Sequence, residues 1–315
     1  MLRAIEIVEA GFRTTVEDLG RPAATRHGVP AGGAFDPRAL RALNAALGND
    51  AGAAGLEIWM RGPVLVNVGT EPIALALAGA GFGWELMRDG LPRAMPPDAA
   101  LSLRPRERLA IRAPARGGRG WLGLAGGVDV PRVLGSRSTC LAAGFGGFAG
   151  RALRAGDRLA IGPNQGSLVL GQRRAIEAVP NLDGTMVLRV LPGPQAAALA
   201  PKDLPMLMGA HWRVSESCDR IGVRLEPEEP GVAPCVGVPG GIEPEGTTLG
   251  ALQLPPDGRP VLLGPDRPAT GGYAKPLLVA RVDLGRMASL VPGDRLRFVA
   301  ISLDEALALL AAAST

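Results

Sequence analysis

One phrase occurs twice in this chain. Residues 153–162 read LRAGDRLAIG and residues 290–299 read LVPGDRLRFV. Each sets Gly-Asp-Arg-Leu ahead of a run in which apolar and polar residues alternate. Glycine reaches the backbone angles of a tight turn, aspartate hydrogen-bonds its own turn backbone, and the alternation that follows has the period of a strand. A weaker echo, RPRERLAIR at 104–112, ends in a similar strand. A turn-then-strand phrase near the end of each half points to two β domains built alike, at residues 1–165 and 185–315. The stretch 166–184 between them reads as a linker.

Composition supports strands and turns. The 315 residues include 45 glycines and 29 prolines, which is high for a helical bundle; 47% are hydrophobic and 20% charged, enough for a packed core. Short apolar runs at Ile73–Leu77, Leu109–Ile111, Val187–Val190, Ala251–Leu254, Val261–Leu263 and Leu277–Ala280 read as strands. Helices look few. Asp36-Pro37 is a start signal, Leu40, Leu43 and Leu47 then share a face, and Gly48 stops the run. Residues 283–290 allow one short helix. Ser302 and Glu305 form a capping box ahead of an apolar stripe of Leu303, Ala306, Leu307 and Leu310.

Several function classes are disfavoured. The net charge of +4 is small and spread along the chain, and aromatics are 3%, so neither a nucleic-acid nor a membrane-surface partner is expected. Cys140, Cys218 and Cys235 are widely spaced, with no metal-ligand spacing, so no metal site or disulfide framework is expected. The first residues lack a signal-peptide pattern and no apolar stretch is long enough to span a bilayer, so the cytoplasm is the expected compartment. The run GFGGFA at 144–149 matches a dinucleotide pattern but leads into a turn and strand, not a helix. Thr270–Lys275 lacks P-loop spacing, and Ser215, Ser217 and Ser289 lie outside nucleophile elbows. The two histidines, His27 and His211, are far apart in sequence.

Four segments are richer in polar groups and glycines than folding requires. They are DLGRP at 18–22 with RHGVPAGGAFD at 26–36, GGVDVP at 126–131 with LGSRST at 134–139, SESCDRIGVRL at 215–225, and DRPATGGYAKP at 266–276. Each sets an Asp or Ser near an Arg, whose planar fork can hold a carboxylate or phosphate through two bonds, or can pair with the Asp to tie down a loop. Lys275 and Tyr273 sit on a glycine-rich loop, Tyr273 is the only tyrosine, and Lys202 is the only other lysine. Both side chains can donate to a carboxylate or a developing oxyanion.

These segments, with the run from Thr14 to Ile58, GPQ at 193–195 and LQLPPDG at 252–258, resemble the allophanate hydrolase subunit 2 family, also called biotin-dependent carboxyltransferase-like. The resemblance covers nearly the whole chain. It implies a mainly β fold of two tandem cyclophilin-like β-barrels with a few short helices. It also implies a hydrolase subunit acting in an ATP-dependent 5-oxoprolinase, which converts 5-oxo-L-proline to L-glutamate. The partners would be a subunit 1-type (B) protein of the same fold and a third (A) subunit. ATP would be used by the assembled complex, with no cofactor held tightly by this chain. Self-association is left open.

The expected catalytic residues are Lys275, Tyr273, Asp219 and Asp18. Arg220, Arg267, Asp266, Thr270, Gly271, Gly272, Arg21 and His27 are expected to bind a small carboxylate or amide. Two alternatives stand beside this reading. One is a carboxyltransferase in a biotin-dependent urea- or amide-degrading system, with biotin supplied by a partner. The other is a non-catalytic module that regulates a kinase by contact. The family's usual Gln and Thr in the last segment are here Pro268 and Ala269, which lack side-chain donors and acceptors.

Overall fold

Short strands separated by glycine and proline turns dominate both halves of the computed structural model, which describes residues 3–79, 81–95, 100–114, 118–163, 184–229 and 241–313. The described residues divide into two units: unit 1 runs to Pro163 without Ala23–Ala31, and unit 2 takes Ala23–Ala31 together with Gly184 onward. The expected linker lies outside the described residues, apart from Gly184.

Unit 1 holds β1 (Ala4–Glu9), β2 (Arg13–Glu17), β3 (Gly55–Trp59), β4 (Val64–Asn67), β5 (Ile73–Ala78) and β6 (Gly83–Arg88). It continues with β7 (Leu91–Met95), β8 (Leu101–Leu103), β9 (Arg108–Arg112), β10 (Arg119–Leu124) and β11 (Arg158–Ala160). They form two sheets, ordered β11-β1-β4-β9-β6-β7 and β2-β3-β10-β5-β8. Ile5, Leu65, Leu86 and Leu109 from the first sheet and Leu56, Ile58, Leu75 and Leu122 from the second belong to one apolar core. β5 and β10 are buried on both faces because helix α1 (Pro37–Ala46) covers the second sheet with Leu40 and Leu43. Asp36 caps α1 by accepting from the Arg38 and Ala39 N–H groups, as its Asp-Pro start predicts. Gly123 of β10 lets the helix approach, since a Cβ there would come within 2.8 Å of Leu47.

Unit 2 holds β12 (Thr185–Pro192), β13 (Trp212–Val214), β14 (Gly222–Pro227), β15 (Glu245–Gly246), β16 (Ala251–Leu254) and β17 (Val261–Leu263). β18 (Thr270–Gly271), β19 (Ala274–Val279) and β20 (Arg295–Ala300) complete it, with helices α2 (Asp203–Gly209), α3 (Leu284–Ala288) and α4 (Leu303–Ala312). Seven strands close a barrel in the order β12-β19-β16-β17-β14-β13-β20, and β15 pairs with β18 as a separate ribbon. Closure comes from the parallel pairing of β12 with β20, the first and last strands of the barrel, from Thr185–Arg295 to Val190–Ala300. The chain is thus mainly β with few short helices, as expected. Among the described residues no helix is long and apolar enough to cross a membrane.

The repeated phrase is a recurrent turn, and the weaker echo takes it too. Gly156 and Gly293 take φ of +87° and +86°, and Arg106 of the weaker echo takes +66°. The Asp157, Asp294 and Glu107 carboxylates each accept from the N–H three residues earlier, at 2.7, 3.1 and 2.8 Å. Each turn also docks in the same way on a neighbouring strand. Gly156 N–H donates to the Ile7 carbonyl and Ile7 N–H to that of Asp157; Gly293 and Asp294 do the same with Val214, and Arg106 and Glu107 with Asn67. Two of the three turns lie in unit 1. After them the strands diverge: β11 ends its sheet against β1, whereas β20 lies between β12 and β13.

The C-terminal helix forms where expected, with its capping box in place. Its apolar stripe is not a core face, however. None of its described residues is buried, and Leu303 and Leu307 are 62% and 55% exposed. Local capping and good helix formers account for the helix without tertiary burial.

Candidate functional site

The expected site residues fall into two groups, one in each unit. In unit 1, Asp18 follows β2 and is buried. Its carboxylate accepts from Gly20 N–H (2.7 Å), the Ser136 hydroxyl (2.6 Å) and Arg137 N–H (2.6 Å). It therefore ties the first polar segment to the second. The two segments line a cavity of about 320 Å³ with Asp18, Asp50, Asp129, Arg132 and Arg137 around glycine walls. Arg21 is also buried; it donates to the Ser138 carbonyl and stacks over Phe145 at 5.0 Å. Its Nη1 has no hydrogen-bond partner among the described residues. Ser138 in turn donates to Glu17 and accepts from Gly33 N–H, so Ser136 and Ser138 act as local ties.

In unit 2, Arg220 and Asp266 form a buried bidentate pair at 2.9 and 3.0 Å. The guanidinium fork is thus directed at Asp266. Asp219 accepts from Ile221 and Gly222 N–H and shapes the turn into β14. Arg267 donates to the Gly264 carbonyl at 3.2 Å, while its Nε is buried without a hydrogen-bond partner among the described residues. Burial lowers the Arg267 pKa, against the opposing charge of Asp266.

Lys275 is the second residue of β19, and its side chain is only 3% exposed. The ammonium lies 3.0 Å from Glu245 Oε1 and donates to the Tyr273 carbonyl at 3.4 Å. Gln195 joins this pair through both ends of its amide. Its Oε1 accepts from Lys275 N–H at 2.9 Å, and its Nε2 donates to Glu245 Oε1 at 2.9 Å. The Lys275 hydrogen bond, then that of Gln195, holds the Glu245 carboxyl below its ordinary range. The approach of Gln195 depends on Gly193, whose N–H donates to the Pro276 carbonyl at 2.7 Å; a Cβ there would sit 2.1 Å from the Lys275 carbonyl.

The Thr270–Gly272 loop is braced along its backbone. Thr270 and Gly271 pair with Gly246 and Glu245, and Ile242 N–H donates to the Gly272 carbonyl. Pro268 and Ala269, which lack polar side chains, still contribute carbonyls that accept from the Thr247 hydroxyl and N–H. Tyr273 reaches the site through its carbonyl, and the residue is 41% exposed. His27 is exposed at the end of the short helix Pro22–His27, accepting from Arg26.

Sequence reasoning missed Glu245 and did not single out Gln195. The GPQ run was a signal for Gln195; Glu245, in a glycine- and proline-rich stretch, had none. Only the pairing of β15 with β18 sets Glu245 opposite the Lys275 loop.

Comparisons agree with this architecture. A family described as the carboxyltransferase domain, subdomain A and B, matches residues 27–300. The C-type subunit of 5-oxoprolinase from Escherichia coli K12 is 34% identical over 305 residues, covering 96% of this chain and 93% of that protein. Its Haemophilus influenzae counterpart is 32% identical over 302 residues, with coverage of 96% and 93%. The crystal structure of the Kluyveromyces lactis urea amidolyase superposes with a TM-score of 0.82 at 26% identity, covering 99% of this chain and 19% of that one. The match to the family spans most of the chain, and the similarity to the two bacterial 5-oxoprolinase proteins runs through nearly their full length. This chain therefore belongs to the carboxyltransferase domain, subdomain A and B, family.

Proposed function

We infer that this chain is the C-type subunit of an ATP-dependent 5-oxoprolinase, which opens 5-oxo-L-proline to L-glutamate. The observation that carries this reading is the 34% identity to the Escherichia coli 5-oxoprolinase protein across 96% of this chain. The complex would work in the cytoplasm with a B-type partner of the same fold and an A-type subunit, and this chain would be inactive alone. ATP is consumed by the assembly, and this chain holds no tight cofactor.

A lactam is a stable amide, and phosphorylation of its oxygen converts that oxygen into a leaving group. What this chain adds is a buried cation. Lys275, held by Glu245 and Gln195, would orient the substrate carboxylate or stabilise negative charge developing on oxygen, and low surrounding polarity strengthens such an interaction. Asp219 braces the turn into β14, and Arg220 and Asp266 pair with each other.

The test is co-purification with the partner subunits, followed by assay of ATP-coupled glutamate release. Lys275→Met is expected to lower kcat/KM by about 100-fold or more. Full activity in that variant would remove Lys275 from the chemistry, and no activity with any B-type partner would refute the enzyme assignment. The urea amidolyase likeness favours a second reading, a carboxyltransferase part of a urea- or amide-degrading system. Turnover of urea derivatives but not of 5-oxoproline would select it.

A further inference from the structure

We propose that Glu245 is a displaceable counter-ion that covers Lys275, so that the site admits only ligands bringing a carboxylate or phosphate of their own. The proposal rests on the reading of Lys275 as the anion-binding group. The two partners differ in their access to water: the Lys275 side chain is 3% exposed and that of Glu245 is 43% exposed. The carboxylate can therefore turn into solvent and keep its own hydration, while the ammonium cannot follow it and needs another anion in its place.

The backbone of Glu245 is pinned by the β15–β18 pairing, so release needs only a side-chain rotation. An ammonium has three donors. Lys275 uses one on Glu245 and one on the Tyr273 carbonyl; the third meets no acceptor among the described residues. Gln195 stays in place through its bond to Lys275 N–H, which leaves its Nε2 free to donate to an incoming oxygen once Glu245 turns away.

Replacing one carboxylate by another leaves the charge in the site unchanged. A neutral ligand that displaced Glu245 would strand a buried ammonium without a counter-ion, which is strongly unfavourable. Selectivity for anions follows from the pairing itself.

The experiment is calorimetric titration of the full chain with 5-oxo-L-proline, its uncharged analogue 2-pyrrolidone, acetate and inorganic phosphate. Wild type is compared with Glu245→Gln and Glu245→Ala, each checked for a native circular-dichroism spectrum at the temperature of titration. Removing the competitor is expected to tighten binding of the carboxylate probes by about tenfold in both variants, with 2-pyrrolidone the weakest probe throughout. Equal or weaker anion binding in both variants overturns the proposal, as does the absence of anion binding in all three proteins. Assays of the assembled complex separate the two inferences. Tighter anion binding without ATP-coupled glutamate release would refute the 5-oxoprolinase reading and leave the counter-ion standing. Glutamate release with KM unchanged in Glu245→Gln would do the reverse.

Discussion

Two arginines that look alike in sequence have different surroundings. Arg220 is buried in a bidentate pair with Asp266, and neighbouring Arg267 keeps a buried Nε without a hydrogen-bond partner among the described residues. A buried ion pair is costly to halve, because the remaining charge is left uncompensated. Arg220→Met is therefore expected to destabilise unit 2 by about 3–5 kcal/mol, while the double change Arg220→Met with Asp266→Leu regains most of that loss. Denaturant titration of the single and double variants checks this. If the double variant is as unstable as the single one, the pair does more than neutralise itself. Lys275 stands apart from both arginines, since its counter-ion is half in water.

At the level of elements, one turn is used three times with different residues at its strained position. Gly156 and Gly293 occupy left-handed backbone at no steric cost, whereas Arg106 adopts φ +66° with a full side chain. Arg106→Gly is expected to raise stability by about 0.5–1 kcal/mol, and Gly293→Ala to lower it by about 1 kcal/mol, both read from thermal melts. The turn carboxylates also link stability to pH. The Arg151 guanidinium, at 2.7 and 2.8 Å, holds the Asp157 carboxyl below its ordinary value of 3.8; partial burial opposes this, and the Arg154 N–H adds to it. A depressed folded pKa stabilises the protein above the unfolded value, and that stability is lost as pH falls through the folded value. Urea midpoints followed into the acid range should therefore fall less steeply in Asp157→Asn than in wild type; parallel curves would show that this carboxylate does not contribute.

At the level of the whole molecule, the exposed terminal helix separates local structure from tertiary packing. Leu303 and Leu307 are more than half exposed, so Leu303→Glu with Leu307→Glu should change stability by no more than about 0.5 kcal/mol. A larger fall in the melting temperature would show that these leucines are covered in solution. The sequence by itself determined the β class, the helix at Asp36-Pro37, the capping box at Ser302 and the family, because turn chemistry, capping and alternation act over a few neighbouring residues. It also brought Lys275 forward. Only the tertiary structure decided that Arg220 faces Asp266, that β12 and β20 close the barrel, and that Gln195 and Glu245 meet Lys275. Arg220 and Asp266 lie 46 residues apart, Gln195 and Lys275 80, and Glu245 and Lys275 30, and only the pairing of strands distant in sequence brings them together.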